Sequence, residues 1–202
     1  MLLSGCSRPA AEVPSDFKGG ELVAKAGALH EVVPVEEVAA VAGTDAGKIG
    51  MHYENYSPDP ATHTLQYHWP SGKTLSLPGG HSIEEYHSLG IAFVKPMNTE
   101  EFKAQYSSNA DLQKKVDELG ADSTLGADEA IAEARYISEY AKVRKLEEVP
   151  RVGEMAFWET PVQALHVFAD GVAFTVTVNL GEDEKENRAK AVEMVKVILN
   201  RQ

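Results

Sequence analysis

Ala164-Leu165-His166-Val167-Phe168-Ala169-Asp170-Gly171-Val172-Ala173-Phe174-Thr175-Val176-Thr177-Val178-Asn179-Leu180 is the most strongly patterned stretch of the chain. Two apolar runs flank Asp170-Gly171, a pair suited to a two-residue hairpin turn because glycine accepts the positive φ that such a turn requires. Pairing across the turn sets Val167 against Phe174 and Leu165 against Val176, which makes one continuous apolar face. His166 then falls opposite Thr175 on the other face. Downstream, an acidic first turn from about Asp183, followed by Ala191, Val195 and Ile198 at helical spacing, predicts a closing helix to Leu199, with Arg201 beyond its end. A helix with one apolar stripe needs a sheet to cover.

Upstream of the hairpin, Val152-Gly153-Glu154-Met155-Ala156-Phe157-Trp158 leads into the first of its strands. A helix is expected from about Asp128 to Leu146, with Ala130, Ala134, Ile137 and Ala141 as its apolar stripe and Pro150 after it. Leu112, Val116 and Leu119 repeat at helical spacing between Asn109 and Gly120. Thr99-Glu100-Glu101 opens a further helix, with Thr99 as its N-cap and Phe102 and Tyr106 on its apolar side.

Towards the N-terminus the period changes to two. Ile49, Met51 and Tyr53 alternate with Gly50, His52 and Glu54, and Leu65, Tyr67 and Trp69 alternate with Gln66 and His68. If Ser57 to Ala61 form the loop, Tyr53 faces Leu65, Met51 faces Tyr67 and Ile49 faces Trp69. A slip of one residue would turn one apolar side to water, so the matched parity predicts a hairpin. Thr74 to Leu77 follows as a third strand, Pro78 to Leu89 as a loop, and Ile91 to Val94 as a buried strand ended by Pro96. A short helix begins at Pro34, carries Val35, Val38 and Val41, and stops at Gly43. The sum is an α+β fold: an antiparallel sheet of two hairpin units covered by helices, with a C-terminal helix closing the domain.

Function is less legible. In the first hairpin, His52 and His68 are diagonal neighbours on the polar face with Glu54. Two imidazoles and a carboxylate suit Zn²⁺ or Cu²⁺, so a periplasmic metal-binding protein is the alternative reading. Loops carry function on a rigid scaffold, so His81, Glu84, Glu85 and His87 in the polar loop form a second candidate surface. Tyr67, Trp69, Phe157 and Trp158 have strand spacing and read as core.

Several chemistries are excluded. Gly43-Thr44-Asp45-Ala46-Gly47-Lys48 has three residues between its glycines, not the four of a phosphate loop, and Ile49 replaces the Ser or Thr that would hold Mg²⁺. No Gly-x-Ser-x-Gly elbow exists. A net charge of −12 opposes nucleic acid, whose binding needs cations against phosphates. The expectation is a protein that is not an enzyme.

The start of the chain adds a location. Leu3-Ser4-Gly5-Cys6, followed by Ser7, resembles the lipobox of bacterial lipoproteins, in which the thiol takes acyl chains such as palmitate and the bond before it is cut. The resemblance implies that residues 1–5 are a truncated, residual signal peptide and that Cys6, the one cysteine of the chain, is the lipidated residue. It also implies attachment to the lipid bilayer through Cys6. Ser7 in place of Asp implies the outer membrane, facing the periplasm. Residues 6–27, containing Pro, Ala and Gly, are expected to be a flexible tether, and residues 28–202 a single α+β domain. From about Val33 to Leu199 the order of elements, with the Val152 to Trp158 motif, is similar to a group of small bacterial lipoproteins of unassigned function, distantly like the PsbP and Mog1 type of fold. The resemblance implies a membrane-anchored binding or interaction module with an envelope protein partner.

Overall fold

The computed structural model describes residues 10–121 and 126–201; Leu3-Ser4-Gly5-Cys6 and the start of the expected tether lie outside the described residues. In chain order the elements are α1 (Gly19–Ala24), α2 (Leu29–Val32), α3 (Val35–Ala42), β1 (Gly50–Glu54), β2 (Thr64–Ser76), β3 (Ser82–Pro96), α4 (Thr99–Tyr106), α5 (Ala110–Ala121) and α6 (Ala127–Val143). Then come β4 (Lys145–Glu148), β5 (Met155–Thr160), β6 (Ala164–Ala169), β7 (Val172–Asn179) and α7 (Glu184–Leu199). The strands form one antiparallel sheet in the order β1-β2-β3-β7-β6-β5-β4.

Both expected hairpin registers are present. Met51 pairs with Tyr67 and Tyr53 with Leu65; Val167 pairs with Phe174, Leu165 with Val176 and His166 with Thr175. The apolar alternation therefore sends Leu65, Tyr67, Trp69, Leu89, Ile91, Leu165, Val167, Phe174 and Val176 to one side. There α1 to α3 and α7 cover them as the main core. α7 buries Ala191, Val195 and Ile198, as its spacing requires, and also Val192, Met194 and Leu199; Asp183 caps it by accepting from the amides of Lys185 and Glu186. Tyr67 satisfies its hydroxyl on the Val33 carbonyl.

The opposite face holds a smaller cluster, in which Phe102 and Tyr106 of α4 pack on Phe168 and Ala173. α4 packs on this face, and α5 and α6, packed on each other, meet it through Asp111, Tyr140 and Arg144. Leu112, Val116 and Leu119 of α5 are half-buried, as are Ala130, Ala134, Ile137 and Ala141 of α6. These are the stripes expected from the sequence.

Five details correct the sequence reading. The described part of the expected tether is packed: Ala11, Phe17, Leu22 and Ala26 are buried in the main core, and Ala11 bridges Val152 in parallel. Apolar residues at helical spacing outweigh its Pro and Gly content. Asn98, not Thr99, caps α4, in a reciprocal capping box with Glu101. The helix expected to reach Leu146 stops at Val143, and Lys145–Glu148 becomes an edge strand. α5 runs through Gly120 to Ala121. The expected third strand and most of the expected loop from Pro78 to Leu89 are the outer halves of β2 and β3, set off from the inner halves by a register irregularity between Pro70 and Thr74.

Gly153 shows why its motif is built as it is. Its φ is +58°, and a Cβ there would stand 2.6 Å from the Phe168 carbonyl oxygen and 2.8 Å from the Val167 side chain. Gly153→Ala is expected to lose at least about 2 kcal/mol, from the left-handed conformation and the backbone clash together. Urea denaturation measures it directly.

Candidate functional site

The outer halves of β2 and β3 leave the sheet as a two-stranded arm. β3 pairs with β7 only from Ser88 to Pro96, and β1 reaches along β2 only to His68. The six residues Ser82 to His87 thus carry the arm up to about 20 Å past the sheet at ordinary strand rise. Leu75 opposite Ile83, and Leu77 at the turn, are 50%, 48% and 42% exposed. By strand parity they continue the face that carries Trp69 and Leu89, and among the described residues no helix covers them there.

All four residues of the expected functional loop lie on this arm, but strand pairing spreads them over both of its faces. His81 stands beside the tip and Glu84 accepts from Tyr86 Oη at 2.8 Å. Glu85 faces Ser71, and His87 lies against Trp69 with ring centroids 6.0 Å apart. The expected metal triad is not assembled. His52 meets Glu54 at 3.3 Å, exposed to solvent, whereas the His68 ring lies over Gly50 and edges onto Tyr86. Among the described residues no group of three or more His, Cys, Asp or Glu is placed to hold a metal ion.

A second cluster was not foreseen. On the face under α4 to α6, His166 of β6 bonds Glu159 of β5 through Nε2 at 2.7 Å and Thr175 of β7 through Nδ1 at 2.9 Å. Tyr106 stacks on the imidazole at 4.1 Å. Arg144, just past α6, donates from Nε to Glu159 at 2.9 Å and from Nη1 to Asp111 of α5 at 2.8 Å and 3.1 Å. Its Nη2 reaches the Gln105 carbonyl. Tyr140 donates to the same Glu159 carboxylate. The carboxylate can only accept, so Nε2 of the neutral imidazole carries the proton and Nδ1 accepts from the threonine hydroxyl.

The order hydroxyl, imidazole, carboxylate is that of a proton relay. Here the ring is buried, capped by Tyr106, and its carboxylate is shared with Arg144 and Tyr140. Every member is spent on another, so the cluster holds α4, α5 and α6 to the sheet. The sequence did contain one signal for it: Glu159 follows Phe157-Trp158 inside an apolar strand.

Burial by itself raises the Glu159 carboxyl, but the hydrogen bonds from His166 and Tyr140 and the charge of Arg144 outweigh it and bring it down to about 2. Burial lowers His166 more than Glu159 restores it, and burial raises Tyr106 to about 12. Both acid-range groups act in one direction. His166 binds its proton more readily in the unfolded chain, so stability falls as pH drops below about 6.5. The Glu159 contribution is complete above its ordinary value of 4.5 and is lost as pH falls from there towards about 2. Thermal melts from pH 7.5 to 3 should show a two-stage loss, and His166→Gln should remove the first stage.

Comparison with protein-family models, with curated proteins and with solved structures finds no match to this chain. Among the described residues no helix is long and apolar enough to cross a membrane.

Proposed function

We propose that the chain is an envelope lipoprotein, anchored through Cys6 at the periplasmic side of the outer membrane. It acts as a non-enzymatic interaction module whose contact element is the β2–β3 arm. The carrying observation is the arm itself: three large apolar side chains exposed beyond the sheet, while buried His166 and Arg144 both bond Glu159.

The position of the chain's entry supports the same reading. Ala11 lies on Val152, at the end of the sheet that carries Asp170-Gly171, and the arm leaves from the other end. Cys6 precedes Ala11 by five residues, which span at most about 18 Å. An anchor at Cys6 therefore holds one end of the domain near the bilayer and presents the arm away from it. Glu84 and Glu85 beside Ile83 disfavour anionic lipid as the arm's target, so an envelope protein is the partner.

Crosslinking in cells tests this. A photoreactive residue at Leu77 or Ile83 should give one discrete adduct, absent when it is placed at Ile131, an exposed residue of α6. Adducts at Ile131 alone, or none at all, would contradict the proposal. With the photoreactive residue moved to exposed Tyr86, the same adduct should form, and the triple variant Leu75→Ser, Leu77→Ser, Ile83→Ser should abolish it and shift Tm by less than about 3 °C, because exposed substitutions change stability little.

A further inference from the structure

Beside the sheet's edge, β4, its following residues and α7 border a cleft of about 550 Å³. That is within the range of small-molecule sites. Val149 and Val192 are its buried floor, with Pro150 and Ala189 beside them. Arg188 crosses the rim to Glu147 at 2.9 Å and to the Glu148 carbonyl at 3.3 Å. The second contact occupies a backbone acceptor that an added strand would need, so the cleft is poorly suited to a peptide on the β4 edge. An alkyl chain needs no such acceptor.

Cys6, if acylated, is a source of such a chain. Pro150, at the cleft, adjoins Arg151, whose carbonyl accepts from the Ala11 amide at 2.9 Å, and the Gly153 amide donates back to Ala11 at 2.8 Å. Ala11 is thus seated on the Arg151 to Gly153 backbone, next to Pro150 of the cleft. Cys6, five residues earlier, has a reach of at most about 18 Å from there. We infer that the β4/α7 cleft shelters an acyl chain carried on Cys6, keeping it out of water until it enters the bilayer. The inference rests on the lipoprotein reading above, and it assigns this face a role separate from the arm.

Because Cys6 is the one cysteine, the test does not need cellular processing. The full-length chain is alkylated with a 16-carbon maleimide, with N-ethylmaleimide as the control, and the methyl resonances of Val149 and Val192 are followed. The long chain should shift both, the control neither, and Ala189→Trp should suppress the shift. A nitroxide at the far end of the alkyl chain on the otherwise unaltered protein should broaden Val149 and Val192 and leave Leu75 and Ile83 sharp. Equal shifts with N-ethylmaleimide would show that the peptide segment fills the cleft; that result, or no shift, overturns the inference. Either failure leaves the lipidation of Cys6 to be decided by the mass of the cellular product.

Discussion

Glu159→Ala is expected to destabilise the domain by about 3 to 5 kcal/mol, the usual cost of removing one partner from a buried charge pair. The Arg144 and Glu159 side chains are 4% and 6% exposed, so the guanidinium would keep only Asp111 and a carbonyl as acceptors. His166 and Tyr140 would each lose a bonded oxygen as well. At this chain length the loss corresponds to a fall in Tm of roughly 6 to 20 °C. Glu159→Leu combined with Arg144→Met should recover part of it, because two apolar side chains replace a pair whose desolvation offset much of its attraction. If the double variant melts below Glu159→Ala, the pair contributes more than its solvation cost. Calorimetry at pH 7 compares all three.

Trp158→Ala is the second large effect, expected at about 3 to 5 kcal/mol. The indole is fully buried in the main core and donates from Nε1 to Glu184 Oε1 at 2.9 Å, where Thr160 also donates at 2.8 Å. It thus joins β5 to the first turn of α7, which lies over the sheet. Removing it opens a large cavity and releases one hold on the helix. Trp158→Phe should cost markedly less, since it keeps most of the apolar volume and loses only the tip of the ring and its hydrogen bond. Equal losses for the two variants would show that the Glu184 bond, not the packing, dominates. Urea denaturation with constant m-values separates the outcomes.

The two hairpins were legible because their apolar residues recur with period two and a buried face tolerates no slip. The Asp170-Gly171 turn and the αL glycine at Gly43, with φ of +69°, were legible from local chemistry alone. β4 was not, because Lys145-Leu146-Glu147-Glu148 offers a single apolar residue directly after a helical stripe, and an edge strand needs little more. The outer half of β3 was hidden for a related reason. Nothing packs over it, so polar side chains such as Glu84 and Glu85 interrupt the alternation that burial would have imposed. The segment from Ala11 to Ala26 reads as a tether by its Pro and Gly content, yet it packs because Phe17, Leu22 and Ala26 enter the main core.

The ion cluster illustrates a different limit. His166 opposite Thr175 was read from register, but Glu159 and Arg144 are separated by 15 residues and a strand turn. Asp111 comes from 33 residues away along the chain. Side chains that meet only through the stacking of α4 to α6 on the sheet leave no spacing to recognise. The hypothetical metal ligands failed from the other direction. His52 and His68 do share a face, yet a shared face fixes neighbours only to within a strand width, and the His68 ring turned onto Gly50 and Tyr86.

The anchoring of the domain bears on everything proposed for the arm and for the cleft. It is tested most directly by the intact mass of the product expressed in a bacterial host from its own upstream region, beside a Cys6→Ala variant. The account predicts a membrane-associated species that begins at Cys6 and is heavier by its acyl chains, replaced in the variant by an unacylated chain. An unmodified product that retains residues 1–5 in the cytoplasm would contradict it.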